Sequence, residues 1–273
     1  MGELRPQWLD VGEGAARRRI AYLQQKPLAG DGPRVLWLNG FNSVMTGTKA
    51  SALAEWAGRQ GRGCLRFDYS GHGQSAGRLV DGTIGRWLEE ARAVFCRLSR
   101  GPQLLVGSSM GGYIALLLLK GLIADQPQHA RRIVGLVLIA PAWNMSELLW
   151  KGLSPSARRQ IEDEGVYLRP SPYGDGPYPI TRALIEEGRR HLIGTEPFDP
   201  GRPVHILHGG KDEDVPYAHT LNLLRLLSAH VRVAAVADGD HRLSRPQDLA
   251  LLFSIVGGLE CCGAVPVGEH GLA

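Results

Sequence analysis

The residues best suited to chemistry lie in one short turn, Gly107-Ser108-Ser109-Met110-Gly111, which has the spacing G-x-S-x-G. An apolar run precedes this turn and a helical-looking run follows it, so we expect a strand, a sharp turn and a helix. A serine at such an apex projects its hydroxyl beyond the sheet edge, and its strained backbone requires small neighbours. The pattern predicts that Ser109 is a nucleophile. The alternative is a glycine-rich helix start with an incidental serine.

A serine hydroxyl needs a base to take its proton and an acid to orient that base. For a nucleophile on this kind of turn, the acid and the histidine follow the serine in the chain. Two later apolar runs end in suitable residues: 204–207 leads to Asp212 and Asp214, and 231–237 leads to His241. We expect His241 to be the base. The alternative is a histidine on a surface loop.

Asp212 and Asp214 compete for the role of the acid. Asp212 lies nearer the predicted strand end, after a Gly-Gly pair that allows a tight turn and an inward carboxylate. Asp214 stands before a Val-Pro pair, a position typical of a cap for the next helix. We therefore predict Asp212. A metal site at Asp212, Glu213 and Asp214 is not expected, because consecutive carboxylates point in different directions and no histidine has ligand spacing.

The negative charge that develops on an attacked carbonyl needs backbone donors near the serine. These come from the residue after the nucleophile and from the loop after an earlier strand. By position they are the backbone N–H groups of Met110 and Phe41. The loop Gly71-His72-Gly73 is not expected to bind a dinucleotide, because the third glycine of that motif is missing and no helix opens there. No cofactor is expected.

Strand-like and helix-like segments alternate from residue 35 onward. The expected strands are an edge hairpin of 7–11 with 18–24, then 35–38, 64–68, the run before the serine turn, 133–139, 204–207 and 231–237. The expected helices are 48–59, 83–98 with Thr83 as N-cap, the segment after the turn, 216–227 and 246–259. This alternation predicts an α/β fold, with a mostly parallel central sheet and helices on both faces.

One segment interrupts the alternation. Residues 141–203 are too long for a bare loop and contain short helical stretches at 146–153, 156–163 and 181–191. We expect this insertion to form a lid over the strand ends. The predicted core is then 1–140 together with 204–260, and residues 261–273 are expected to form a flexible tail.

The lid carries residues that could select the substrate. The aromatic residues that could line an acyl pocket, or simply pack the lid, are Trp143, Trp150, Tyr167 and Tyr173. The basic residues that could meet a carboxylate, or lie on a solvated helix face, are Arg169, Arg182, Arg189 and Arg190.

Composition excludes several classes of protein. The 31 basic and 27 acidic residues are spread along the chain, so the net charge of +4 does not indicate nucleic-acid binding. The 4 cysteines lack zinc-type spacing and indicate a reducing compartment. No apolar run approaches the roughly 20 residues of a membrane span, and no secretory signal is evident. We expect a cytoplasmic protein without stable membrane insertion, from a bacterial source.

Taken together, these residues resemble the α/β-hydrolase superfamily over nearly the whole chain. Segments 39–49, 66–71, 101–112 and 207–216 are similar to a branch of mitochondrial palmitoyl-protein thioesterases that also hydrolyse acyl glucuronides. The resemblance implies an α/β-hydrolase fold and a serine hydrolase acting on thioesters or oxygen esters, with small-molecule or acylated-protein substrates. It also places Ser109, Asp212 and His241 at the matching triad positions.

One departure from the superfamily affects the donors. Asn39-Gly40 stands where many members have His-Gly, but the Phe41 donor is a backbone group and survives the change.

Two other hypotheses use the same residues. A carbon–carbon bond hydrolase would be distinguished by its failure to cleave simple p-nitrophenyl esters. A non-enzymatic binding protein on this fold is expected to lose a triad member or the turn glycines, and this chain keeps them all. Dehalogenase and epoxide-hydrolase chemistry needs an acidic nucleophile at this turn. Because the residue there is Ser109, neither activity is expected.

Overall fold

A computed structural model describes residues 4–28, 32–171, 176–227 and 229–259. The strands in these ranges are β1 Gln7–Val11, β2 Arg18–Gln25, β3 Arg34–Leu38, β4 Cys64–Phe67, β5 Gln103–Ser108, β6 Ile133–Ile139, β7 Val166–Arg169, β8 Tyr178–Thr181, β9 Val204–Gly209 and β10 Val231–Val236. The α-helices are α1 Thr48–Arg59, α2 Ile84–Leu98, α3 Met110–Asp125, α4 Pro127–Ala130, α5 Met145–Gly152, α6 Pro155–Glu164, α7 Arg182–Gly188, α8 Tyr217–Leu226 and α9 Pro246–Gly258.

One large sheet carries most of the chain, in the strand order β1-β2-β4-β3-β5-β6-β9-β10. β1 pairs antiparallel with β2, and β2 antiparallel with β4, which confirms the predicted edge hairpin. From β4 to β10 every neighbouring pair is parallel. The expected α/β fold with a mostly parallel sheet is thus confirmed.

Both faces of this sheet are covered, which explains why a central strand such as β3 is apolar over most of its length. Along β3, Leu36 and Leu38 belong to one hydrophobic cluster, while Val35 and Trp37 belong to another on the opposite face. The first cluster includes α2 and α3, and the second includes α1 and α9. A strand buried on both sides needs apolar residues at every position rather than at alternate ones.

Two of the helices show how capping and packing determine helical structure in this chain. Thr83 caps α2, since its side chain accepts a hydrogen bond from the backbone N–H of Arg86 at 3.3 Å, as predicted. In α3 the first ten residues, 110–119, are all buried, because the helix lies against β5 and β6 on one side and α2 on the other. Even so, no helix among the described residues is long and apolar enough to cross a membrane.

The insertion, residues 141–203, folds around a small cluster of its own. The buried members of that cluster are Leu153, Ala157, Ile161, Ile180 and Ile185. The predicted helices appear as α5, α6 and α7, the last continued by a 3₁₀ turn at Arg189–His191. The antiparallel hairpin of β7 and β8 was not predicted. The expected tail, 261–273, lies outside the described residues.

Candidate active site

Ser109 stands at the sharp turn between β5 and α3, which we call the elbow, residues 107–111. Its backbone has φ 53° and ψ −115°, a left-handed conformation that is strained for any residue except glycine. A Cβ at Gly107 would overlap the backbone oxygen of Gly111, and a Cβ at Gly111 would overlap that of Leu38. The two glycines are therefore required by packing, as the G-x-S-x-G pattern predicted.

His241 reaches Ser109 from the loop after β10. Its Nε2 lies 3.1 Å from Ser109 Oγ, and its Nδ1 lies 2.7 Å from Oδ2 of Asp212. A carboxylate can only accept, so Nδ1 carries the proton and Nε2 is left to accept the serine proton. The imidazole is about 16 % exposed, while the Asp212 side chain is fully buried.

Asp212 is held by the backbone of its own loop, which follows β9. Its Oδ1 accepts hydrogen bonds from the N–H groups of Asp214 and Val215, at 3.0 and 2.8 Å. This leaves Oδ2 for His241 and fixes the direction from which the acid contacts the imidazole. Glycine is needed nearby, because a Cβ at Gly209 would overlap backbone oxygens of the loop after β10.

Asp214, the rival acid, does not face His241 in this arrangement. Its carboxylate lies 3.4 Å from Nη2 of Arg169, which comes from the end of β7. The interpretation of Asp214 as a helix cap is wrong, because α8 is capped by Pro216 without any side-chain hydrogen bond. Proline fixes its own φ and starts the helix without a polar side chain.

A second histidine, His208, supports the Asp212 loop. It is fully buried, with Nε2 at 2.9 Å from the carbonyl of Val215 and Nδ1 at 2.8 Å from Oγ1 of Thr220. Asp212 Oδ2 lies 3.5 Å from the same Nε2. Burial lowers the pKa of His208, which keeps the imidazole neutral.

The two predicted oxyanion donors come from the elbow itself and from the loop after β3. Met110 is the first residue of α3, so its N–H has no acceptor within the helix. Phe41 lies in the loop after β3, where Gly40 approaches the elbow so closely that a Cβ would be 3.4 Å from Cβ of Ser109. Among the hydrogen bonds of loops, turns and caps in the described part of the chain, none has the N–H of Met110 or Phe41 as its donor.

Asn39 shows why this chain tolerates asparagine before the glycine. The buried amide accepts a hydrogen bond from Nε1 of Trp37 at 2.6 Å and donates one to the carbonyl of Phe67 at 2.6 Å. It thereby joins the ends of β3 and β4.

Lys49 supports the loop that carries His241. Its Nζ, near the start of α1, donates to the carbonyl of Arg242, the residue after His241, and lies 3.5 Å from Oγ of Ser244. Burial lowers the pKa of Lys49 to about 8. Through these contacts the ammonium group of Lys49 connects α1 to the end of the loop that carries His241.

Ser109 and His241 open into a cleft of about 500 Å³. Apolar side chains that line it include Phe41, Ala142, Met145, Leu148, Leu149 and Tyr178. Charged side chains that line it include Lys49, Arg169, Asp214 and Arg242. The cleft is thus lined by apolar side chains together with three basic side chains and one acidic side chain.

Three of the aromatic residues proposed for an acyl pocket, Trp143, Trp150 and Tyr167, do not line this cleft. Trp143 stacks on His219, with ring centroids 4.9 Å apart, and Trp150 and Tyr167 pack against the cluster inside the insertion. Tyr173 lies outside the described residues. The wall is built instead from α5 and from Tyr178 of β8.

Of the basic residues proposed to meet a carboxylate, Arg169 alone lines the cleft. Arg182 donates to the carbonyls of Ile161 and Glu162, and Arg189 pairs with Glu147 at 2.8 Å. Among the described residues, no group of three or more His, Cys, Asp or Glu side chains is arranged to hold a metal ion.

Comparisons with known proteins identify the family and the fold. Residues 35–250 match the family described as "Alpha/beta hydrolase family". The human mitochondrial palmitoyl-protein thioesterase ABHD10 is 34% identical over 245 residues, covering 89% of this chain and 78% of the relative.

Two solved structures are also similar. A putative hydrolase from Agrobacterium vitis S4 has a TM-score of 0.90 and 42% identity, covering 95% of this chain and 100% of that one. Alpha/beta hydrolase domain-containing protein 10 from mouse has a TM-score of 0.80 and 31% identity, covering 93% and 98%.

Proposed function

We propose that this chain, which belongs to the alpha/beta hydrolase family, is a serine hydrolase that cleaves acyl thioesters or carboxylic esters through an acyl-enzyme on Ser109. The observation that carries the proposal is the pair of contacts made by His241. One joins Nε2 to Ser109 Oγ at 3.1 Å, and the other joins Nδ1 to Asp212 Oδ2 at 2.7 Å. A nucleophile, a base and an orienting acid are thus linked in series.

In the first half-reaction, Ser109 Oγ attacks the acyl carbon while its proton moves to Nε2 of His241. The carbonyl π electrons move to oxygen, and the N–H groups of Phe41 and Met110 stabilise that charge. The C–S or C–O bond then breaks, and His241 returns the proton to the departing thiol or alcohol. Asp212 stabilises the imidazolium that forms in between.

In the second half-reaction, water attacks the acyl carbon of the ester on Ser109. His241 accepts a proton from that water and then gives it to Ser109 Oγ as the carboxylic acid leaves. The same backbone donors stabilise the second tetrahedral intermediate. Both steps need His241 to be neutral before the attack.

The cleft supports an acyl group with apolar character as the substrate. Met145, Leu148 and Leu149 supply apolar surface of the kind that binds a fatty acyl chain. The relatives are named palmitoyl-protein thioesterases, so an acylated protein thiol is the first substrate to test. Acyl glucuronides are the second, because Arg169, which lines the cleft, could face their carboxylate.

A fluorophosphonate probe tests the nucleophile directly. We expect wild-type protein to be labelled at Ser109, located by peptide mapping, and Ser109→Ala to be unlabelled and to lose about four to six orders of magnitude in kcat. The matched control is Ser108→Ala, which removes the neighbouring buried hydroxyl at the end of β5 and should keep both labelling and activity.

The substrate class is tested on the same samples. Hydrolysis of palmitoyl-cysteine peptides and of acyl glucuronides should both disappear in Ser109→Ala and persist in Ser108→Ala. Activity retained by pure Ser109→Ala protein, or labelling at another serine, would overturn the proposal.

A further inference from the structure

The loop after β4 contains the Gly71-His72-Gly73 motif, for which the proposed mechanism has no role. We call residues 68–75 the GHG loop. Its glycines adopt positive φ, 76° at Gly71 and 47° at Gly73, and a Cβ at Gly73 would overlap the carboxylate of Asp68. The two glycines therefore allow the loop to fold tightly on itself. His72 lies between them.

The GHG loop and the strand before it form hydrogen bonds with the segment that carries Phe41. We call that segment, residues 39–45, the oxyanion loop. His72 Nε2 lies 3.0 Å from the backbone nitrogen of Asn42, and Asp68 Oδ1 lies 2.6 Å from that of Met45. Arg66 Nη1 donates to the carbonyl of Met45 at 3.0 Å. The two loops are thus joined through buried polar contacts.

The protonation state of His72 follows from its partners. Its Nδ1 lies 3.1 Å from the carbonyl oxygen of Ser70, which can only accept, so Nδ1 must carry the proton. Nε1 of Trp87 donates to the same oxygen at 3.2 Å. Nε2 of His72 is then a bare acceptor for the Asn42 N–H, and the imidazole is neutral. Burial lowers the pKa of His72 to about 4, in agreement with this assignment.

The side chain of Phe41 packs among three other aromatic rings, one of which is the imidazole of His72. Its ring centroid lies 6.2 Å from that of His72, 5.7 Å from that of Trp87 and 5.6 Å from that of Tyr178. The next residue, Asn42, has a φ of 55°, a conformation that needs external support in a residue other than glycine. The main chain after Phe41 and the side chain of Phe41 therefore both depend on His72.

We propose that His72 is a positioning residue of the oxyanion hole: by accepting the Asn42 N–H it fixes the oxyanion loop so that the Phe41 N–H can stabilise the tetrahedral intermediate. The inference rests on the proposed function, because it requires an acyl-transfer reaction at Ser109. It assigns the Gly71-His72-Gly73 motif a role in catalysis without any nucleotide.

Two substitutions separate the acceptor from the bulk of the ring. His72→Gln keeps an amide oxygen near the position of Nε2, whereas His72→Leu fills similar volume and cannot accept a hydrogen bond. Removal of one oxyanion donor costs about 100–1000-fold in kcat in other serine hydrolases. For a displaced donor we expect His72→Leu to lower kcat by about 10–100-fold with little change in KM, and His72→Gln to stay within about threefold of wild type.

Active-site titration with the fluorophosphonate probe normalises each kcat to the folded, competent fraction. An alkylboronic acid gives a second readout, because its tetrahedral adduct with Ser109 places an oxygen where the oxyanion would lie. The inhibition constant of 1-butaneboronic acid should rise in His72→Leu by about the same factor as kcat falls. If His72→Leu does not fold, His72→Phe keeps an aromatic ring without the acceptor and takes its place.

Three results would overturn the role of His72. They are an unchanged kcat in the acceptor-free variant, equal losses in that variant and His72→Gln, and a lower kcat with unchanged boronate inhibition. Failure of the proposed function has a different signature, since wild-type protein would then not be labelled at Ser109.

Discussion

Replacing Asp212 by asparagine tests the proposed mechanism with almost no change of shape. Oδ1 of Asp212 accepts from the N–H groups of Asp214 and Val215. The oxygen of an asparagine must take that place, because an NH₂ group there would face two donors. The NH₂ group is then turned towards Nδ1 of His241, where the carboxylate oxygen lay at 2.7 Å.

This orientation selects the wrong tautomer of the imidazole. The amide donates to Nδ1 of His241, so the proton moves to Nε2, which faces Ser109 and can no longer accept the proton of its hydroxyl group. The same change in a well-studied serine protease lowers kcat by about 10⁴, equivalent to about 5.5 kcal/mol in the activation barrier. We expect a loss of that size for Asp212→Asn at neutral pH.

Three measurements check this expectation. Steady-state hydrolysis of a p-nitrophenyl ester, normalised by active-site titration, gives kcat. Thermal melting should show a folded variant, because both backbone hydrogen bonds to residue 212 remain. Nitrogen chemical shifts of His241 should report a proton on Nδ1 in wild type and on Nε2 in the variant.

Asp214→Asn is the matched control, since it removes the other carboxylate of the same loop. Asp214 faces Arg169 at 3.4 Å, at a partly exposed position, so we expect kcat within about threefold of wild type. The reasoning is refuted if Asp214→Asn loses as much activity as Asp212→Asn. It is equally refuted if folded Asp212→Asn keeps more than about one tenth of the wild-type kcat.

The remaining predictions concern stability. Gly111→Ala places a Cβ against the backbone oxygen of Leu38, so urea titration should show about 3 kcal/mol less free energy of unfolding. Gly121→Ala, in the same helix with only ordinary contacts, should gain about 0.5–1 kcal/mol. The pKa of His72 falls from 6.5 to about 4 on folding, so the unfolded chain binds more protons between these values and stability declines as pH drops through them, by up to about 3 kcal/mol. Melting curves across that range should be less pH-dependent for His72→Gln, and equal slopes would contradict the assignment.

The core of the fold could be predicted because its signals are local and repeated. The strands β3, β5 and β6 are mainly apolar runs, and α2 carries both a helical period and a cap, Thr83. Parallel strands place their carboxyl ends at one edge of the sheet. Residues that follow β5, β9 and β10 could therefore be expected to meet, and Ser109 and His241 do so across 132 positions of sequence.

His72 shows where such reasoning stops. The residue types of its loop suggested a nucleotide motif, which the missing third glycine excluded, but no local pattern predicts that an imidazole will accept from the backbone of a different loop. The contact joins Asn42 to a residue 30 positions away. A buried histidine acquires this role only through the packing of β3 against β4, which sequence periodicity does not resolve.

The wall of the cleft was missed for a different reason. Pro179 lies inside β8, and proline within a short run argues against a strand, because it cannot donate to a neighbour. The hairpin forms nevertheless, and its register sets Arg169 directly opposite Tyr178. Cross-strand partners point to the same face, so one pairing brings both side chains to the cleft, where Arg169 meets Asp214 and Tyr178 meets Phe41. The register between two four-residue strands thus places two of the side chains that line the cleft, whereas the order of strands in the large sheet places the proposed reacting groups.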